Sequence, residues 1–418
     1  MTMRNNARWG GRGGALARCA LIACAVLAAS ASAAAPARGA GAQSSYQPDL
    51  TAFLKEMDAS YPFFDVKGIR KGWGPYKAQL AGRVKTCASD QEFLGIVSDA
   101  IAYLRDAHMG IVKARVELKP PEPEWHPGVS FMPASKGRVV VMAAAEPLAA
   151  SLKPGTVVVE IDGMPARALL DKKSLEAWER GGPFSSPQRA RMFEYRMPLK
   201  GKKGEKHRLT VLDGGKRRTV EAGCVVQAQG WPHTYNMPSG LTRASESCLY
   251  GKLPSGVGYV YLRRIDPSVE PAIAAAIAAV PDAKGWIIDS RGNGGGGYGQ
   301  ELQQRLGALK RPVAVIIDAG CISAGETFVR DLVGATSARL MGATTAGSSS
   351  AKRTWSFPSG IATLSLPTRS RTGIKGPIEF NGLRPDQEIE AEPEEVAKGL
   401  NSEILRAEEY LLKSVGGN

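Results

Sequence analysis

From about residue 248 onward the chain alternates short, almost uniformly apolar runs with helical ones, and this limits its fold more than any other feature. Gly258–Leu262, Trp286–Asp289 and Val313–Asp318 have strand length and no polar alternation, whereas Val269–Val280, Tyr298–Leu306 and Ala324–Val333 have helical spacing. Strands buried on both faces and separated by helices imply parallel crossover units, so residues 248–413 are expected to form an α/β core. Ligands and reacting groups in such sheets gather at the carboxyl ends of the strands. Two loops qualify here, Ser290–Gly297 and Ala319–Ser323.

Upstream the pattern differs. Residues 46–116 read as a helical segment. Its clearest helix opens on Ser89 and Glu92, spaced as a capping box, and places Phe93, Ile96, Val97, Ala100, Ile101 and Leu104 on one face before Gly110. His108 falls just past the end of that helix. Pro120, Pro121, Pro123 and Pro127 then mark a boundary, after which residues 120–225 read as a small, mostly-β module. It holds strand-like runs at Arg138–Met142 and Thr156–Ile161, and a hairpin signal at Asp213-Gly214-Gly215. Lys200, Lys202, Lys203, Lys206, Arg208, Lys216, Arg217 and Arg218 cluster around the hairpin. No aromatic residues interleave to stack on bases, so the cluster reads as a solvated surface and not as a nucleic-acid site.

The N-terminus reads as an export signal over residues 1–33, with arginines, the apolar run Ala20–Ala29 and an Ala-x-Ala site near Ala31-Ser32-Ala33. A flexible leader rich in Ala, Pro, Gly and Ser follows over 34–45. Arg4, Arg8, Arg12 and Arg18 supply four of the formal +14 charges, so the exported part stays basic. A lipid-attachment box at Leu21–Cys24 is the rival reading, but Arg18 leaves little hydrophobic stretch before it. No stretch is long and apolar enough for a permanent membrane span. Export predicts a periplasmic or secreted protein. Cys87, Cys224, Cys248 and Cys321 remain after the signal, and Cys224–Cys248 is the most local of three possible pairings. His108, His126, His207 and His233 lack metal-ligand spacing, and neither metal nor organic cofactor is expected. A 43% hydrophobic share with 22% charged residues excludes wholesale disorder.

Three features could carry chemistry. Gly292, Gly294 and Gly297 satisfy G-x-G-x-x-G after a strand, with Asp318 where a dinucleotide's ribose carboxylate would be wanted, but Asp289-Ser290-Arg291 interpose charge between strand and glycines. The same loop also offers unobstructed backbone N–H groups to an anion, including a transient oxyanion. Ser323 begins a helix after a buried strand. It fits a capping serine of the Ser-Ala-Gly-Glu box as well as a nucleophile at a strand-to-helix turn. Cys321, with apolar neighbours and no local cation, reads as an inert thiol.

Taken in order, Asp289-Ser290-Arg291-Gly292-Asn293-Gly294-Gly295, Ser323-Ala324-Gly325-Glu326, Gly342-Ala343-Thr344-Thr345-Ala346-Gly347 and Gly382-Leu383-Arg384-Pro385-Asp386 resemble the tail-specific serine peptidases, which include C-terminal processing and tricorn-type enzymes. Leu104-Arg105-Asp106-Ala107-His108 is similar to the family's Asp-x-His segment. Gly128-Val129-Ser130-Phe131, with the run from Pro154 to Gly163, looks like a PDZ module. The resemblance implies a ClpP/crotonase-like α/β core carrying an inserted PDZ-like module. It also implies peptide or protein substrates gripped by a free C-terminus at Gly128, Val129, Ser130 and Phe131, although Ser130 replaces the usual glycine of that loop.

Carried over residue by residue, the resemblance implies Ser323 as nucleophile, with Gly294 or Gly295 and Ala324 as oxyanion amides. Processing members take their base from a lysine that follows a glycine downstream of the serine. Here Ser348 follows Gly347, and Lys352 is the nearest lysine. Tricorn-type members use the upstream histidine oriented by a glutamate, which would be His108 and Glu379. A histidine base predicts an acidic limb of kcat/KM at roughly pH 6 to 7. The competing reading is a ligand-binding protein on the same fold without catalysis.

Overall fold

The computed structural model describes residues 46–118, 122–227, 235–297, 307 and 310–416. The export signal, the leader and the helix expected at 298–306 lie outside these residues.

Three helices open the described chain: α1 (Gln47–Ser60), α2 (Arg70–Val84) and α3 (Asp90–Leu104). The capping box at the start of α3 is closed on both sides. Ser89 Oγ accepts the Glu92 N–H at 3.2 Å, and Glu92 accepts the Ala88 N–H at 2.8 Å. Arg105, at φ 51°, ends the helix in the left-handed region and turns the chain toward His108. Strand β1 (Gly110–Ala114) follows. It pairs with a strand from the far end of the chain, so the helical segment is tied directly to residues of the core.

The next module is a twisted antiparallel sheet of β2 (Val129–Ala134), β3 (Arg138–Ala144), β4 (Val157–Ile161), β5 (Lys206–Asp213) and β6 (Lys216–Gly223), in that order. The hairpin stands where expected, with Gly214 and Gly215 both at positive φ. Two helices, α4 (Ala166–Glu179) and α5 (Pro187–Arg196), correct the mostly-β expectation. The buried stripe of α4 is Ala166, Leu170, Ser174, Ala177 and Trp178, so small residues blunt the apolar contrast on which a sequence reading depends. Among the basic residues near the hairpin, Lys206 pairs with Glu221, Arg217 with Glu160, Arg218 with Asp213 and Lys200 with Glu194.

The core sheet runs from Thr242–Arg243 through β7 (Cys248–Lys252), β8 (Gly258–Leu262), β9 (Trp286–Asp289), β10 (Val313–Ile317) and β11 (Arg339–Gly342) to Gln387–Glu388. From β8 onward the strands pair in parallel. Alternate side chains go to opposite faces. Val260, Ile288, Val315 and Leu340 meet helices α6 (Val269–Ala279) and α7 (Ala324–Thr336). Tyr259, Ile287, Ala314 and Met341 meet α8 (Ser402–Gly416). With both faces covered, the strands can be apolar throughout, which accounts for their lack of alternation.

Two further strands, β12 (Ser350–Ser356) and β13 (Ala362–Ser370), leave the core and join β1 in a separate three-stranded sheet. Trp355, Phe357, Leu364 and Leu366 pack there against α1 and α3, including Phe53 and Phe93. All four described cysteines are buried free thiols, so Cys224 and Cys248 are not bridged. No helix among the described residues is long and apolar enough to cross a membrane.

Candidate active site

Ser323 sits between β10 and α7 in a conformation no ordinary residue favours, at φ 55° and ψ −123°. Such a backbone persists only where its surroundings over-determine it. Here they do. The Ser323 N–H donates to the Ser348 carbonyl at 2.8 Å and to the Glu326 carboxylate at 3.2 Å, and the Ser323 carbonyl accepts from Ser349 Oγ at 3.2 Å. Glu326 is fully buried. It also accepts from the Thr345 hydroxyl at 2.6 Å, the Gly347 N–H at 2.8 Å and the Ser348 N–H at 3.0 Å. Burial pushes its carboxyl up to about 7 despite those donors. The capping box read from sequence is present, with Glu326 closing it on the Ser323 N–H, and the Ser323 hydroxyl also reaches a more distant partner.

Its partner is His108, whose Nε2 lies 3.1 Å from Ser323 Oγ across 215 positions of sequence. The backbone that carries the imidazole is held from behind. Asp106 Oδ1 accepts the His108 backbone N–H at 2.9 Å, and the neighbouring Ala107 N–H donates to Ser185 Oγ at 3.1 Å. Ser185 in turn touches Ser348 Oγ at 3.2 Å, so the loop before α5 links the histidine and serine loops. Burial lowers the His108 pKa from its usual value. Asp106 opposes that shift, while Lys352, Lys67 and Arg371 add to it. This revises the expected acidic limb downward, because shielding outweighs the supporting carboxylate.

Glu379 is buried near this pair, but no hydrogen bond joins it to His108. Its Oε1 accepts from Lys67 Nζ at 3.1 Å and its Oε2 from the Ser349 N–H at 2.9 Å. Among the described residues, the buried His108 Nδ1 has no hydrogen-bond partner. Burial, then repulsion from Asp106, pushes the Glu379 carboxyl up to about 8 against the pull of Lys67. Lys352, the rival base, lies exposed on β12, near enough to act on the His108 charge.

The oxyanion candidates divide. The Gly294 N–H donates to the Arg263 carbonyl at 2.9 Å and the Gly295 N–H to Asn293 Oδ1 at 3.0 Å, so both amides are already engaged in this conformation. The Ala324 N–H has no acceptor among the described residues and stands at the positive end of α7. Gly295 keeps a spatial role. At φ +73°, a Cβ there would come within 2.9 Å of Ser323 Cβ, so glycine is what lets this loop lie against the Ser323 turn.

Asp318 is consumed in holding the two loops together. It accepts the Gly292 and Gly320 N–H groups at 2.9 and 2.8 Å and the Tyr235 hydroxyl at 2.5 Å, which leaves no free ribose carboxylate for the dinucleotide reading. Cys321 is fully buried with its thiol pushed up by desolvation, as an inert residue would be. Gly128, Val129, Ser130 and Phe131 lead into β2. The Gly128 N–H donates to His126 Nδ1 at 3.1 Å, and Ser130 Oγ donates to the Arg196 carbonyl at 2.7 Å, so the serine at the usual glycine position anchors the loop to α5. Sequence reasoning missed Lys67, Ser185 and Ser348, none of which belongs to a local pattern. Asp106 lay within a quoted motif with no role assigned, and Glu326 was read only as the acid of the capping box.

Comparison with known proteins bears on this geometry. Residues 298–389 match peptidase family S41. The fold is similar to that of mature CPAF complexed with lactacystin, at 14% identity and a TM-score of 0.61, covering 90% of this chain and 99% of that one. It is also similar to a candidate peptidase from Parabacteroides merdae, at 16% identity and a TM-score of 0.50, covering 88% and 97%. No curated protein matches. In family signature and in fold the chain resembles the tail-specific S41 peptidases. It is a serine-type peptidase, for which peptides or proteins are the substrates.

Proposed function

We propose that the protein is an exported serine endopeptidase of Ser-His-Glu type that works through an acyl-enzyme. The 3.1 Å approach of His108 Nε2 to Ser323 Oγ carries this reading. Ser323 Oγ attacks the scissile carbonyl carbon while its proton passes to His108 Nε2. The developing oxyanion is met by the Ala324 N–H and the α7 N-terminus. Collapse expels the amine, which takes the proton from His108. Water, deprotonated by the same imidazole, then hydrolyses the ester and frees Ser323. While His108 is charged, Asp106 supplies the compensating field, and Glu379 adds to it in its ionised form. The Glu379 role is electrostatic in this arrangement, because its oxygens are occupied by Lys67 and Ser349.

The module carrying Gly128–Phe131 is read as PDZ-like, gripping a substrate's free C-terminus by strand addition along β2, an edge strand of its sheet. The test is hydrolysis of denatured casein and of a peptide library by the chain without its N-terminal 33 residues. Cleavage by this form and none by Ser323→Ala is expected, and equal cleavage by both removes Ser323 as nucleophile.

A further inference from the structure

Lys67 has no part in the Ser-His-Glu reading, yet it is a cation buried beside the site. It comes from the turn between α1 and α2, and its side chain is 0% exposed, as are those of Asp106 and Glu379. Four oxygens surround its ammonium: the Arg105 carbonyl at 2.7 Å, the Tyr61 hydroxyl and Glu379 Oε1 each at 3.1 Å, and Asp106 Oδ2 at 3.2 Å. The Tyr61 hydroxyl gives its own proton to the Leu104 carbonyl at 2.7 Å, which leaves a lone pair for Lys67, and the Phe63 ring lies 5.1 Å from Nζ.

What each carboxylate does with its other oxygen gives this cation its significance. Asp106 Oδ1 holds the His108 backbone N–H, and Glu379 Oε2 holds the Ser349 N–H, whose residue bonds the Ser323 carbonyl. Lys67 is thus one residue removed from the backbone of the base and two from that of the nucleophile. Those groups belong to segments that only long-range folding brings together.

We propose that Lys67 is a positioning residue whose ammonium clamps the Asp106 and Glu379 carboxyl groups and so docks the histidine segment on the serine core. The proposal rests on the Ser-His reading. The charged groups acting on the imidazole are Asp106, Lys352, Lys67 and Arg371, and those acting on Glu379 are Asp106 and Lys67. A cation disfavours the imidazolium and favours the ionised glutamate. Removing it therefore raises the pKa of both groups, and both changes move the acidic limb to higher pH.

The probe is a fluorophosphonate, whose inactivation rate constant is followed against pH with the adduct site mapped by mass spectrometry. In Lys67→Met the rate is expected to fall on the order of 100-fold at neutral pH, as displacement of a reacting pair does, and its acidic limb to move up. Lys67→Arg keeps the charge and should hold the limb at its wild-type position. Asp106→Asn removes a carboxylate and should move the limb down, a readout that survives should Lys67→Met fail to fold. A limb unmoved in Asp106→Asn, or in a folded Lys67→Met, overturns the clamp while labelling of Ser323 leaves the peptidase reading intact. Absence of any Ser323 adduct in the unmutated chain overturns both.

Discussion

The two halves of the proposed dyad are built by different physics. Ser323 is held by its own neighbourhood: a buried parallel strand, a helix whose Glu326 lies three residues on, and a loop at Thr345–Ser349 that the same glutamate grips. His108 is held by charges that come from everywhere else, Lys67 before it and Glu379 from 271 positions beyond it. Hydrogen-bonded turns adjacent in sequence are assembled by local folding, whereas a buried ion cluster demands that distant segments close together before its desolvation cost is offset. The serine side should therefore tolerate loss of its distant partners, and the histidine side should not.

Five substitutions sharpen that contrast. Ser323→Ala should abolish peptide hydrolysis, and chemical denaturation should show a loss of about 0.5 to 2 kcal/mol at most, the worth of a helix cap. His108→Ala should lower kcat by several orders of magnitude with little change in KM, read in steady-state kinetics. Glu379→Gln keeps the shape but not the charge. Its expected loss is smaller, on the order of 100-fold in kcat, and a loss as large as that of His108→Ala would mean that Glu379 reaches Nδ1 directly during turnover.

Glu326→Gln puts an NH2 group against backbone donors and should cost about tenfold in kcat through a loosened nucleophile turn. It also carries a stability signature. The carboxyl rises from its ordinary value of 4.5 to about 7 on folding. The neutral form is favoured in the interior, so its contribution is complete below the unfolded pKa and lost as pH climbs through about 7. The melting-temperature difference between the unmutated chain and Glu326→Gln should shrink between pH 5 and pH 8, about the span of that titration. A constant difference would remove the assigned shift. Lys352→Ala should have the smallest effect, within about twofold in kcat, with the acidic limb displaced slightly upward because one cation near His108 is gone.

The same division explains what could be read from sequence. The core strands and helices, the Ser323 turn and the Ser89 capping box are local patterns, and Gly258–Leu262 and Trp286–Asp289 stand at the residues expected. Helix α4 escaped because alanine and serine line its buried face. Strand β13 pairs with β1 more than 200 positions away, which no local pattern shows, and the hairpin joining β12 to β13 went unread although Pro358-Ser359-Gly360 marks its turn. Lys67 could not have been picked out of a basic chain with 54 lysines and arginines. Only the fold shows that its neighbours are Asp106 and Glu379. The family resemblance supplied His108 and Glu379, but not the cation between the carboxylates.

The most direct test of a serine activated from a distant segment is the rate and position of fluorophosphonate labelling at neutral pH in the unmutated chain, His108→Ala and Lys352→Ala. A single adduct on Ser323 is expected, forming orders of magnitude more slowly without His108 and at an unchanged rate without Lys352. Labelling of Ser323 that survives in His108→Ala and disappears in Lys352→Ala would contradict the account and make the exposed lysine the base.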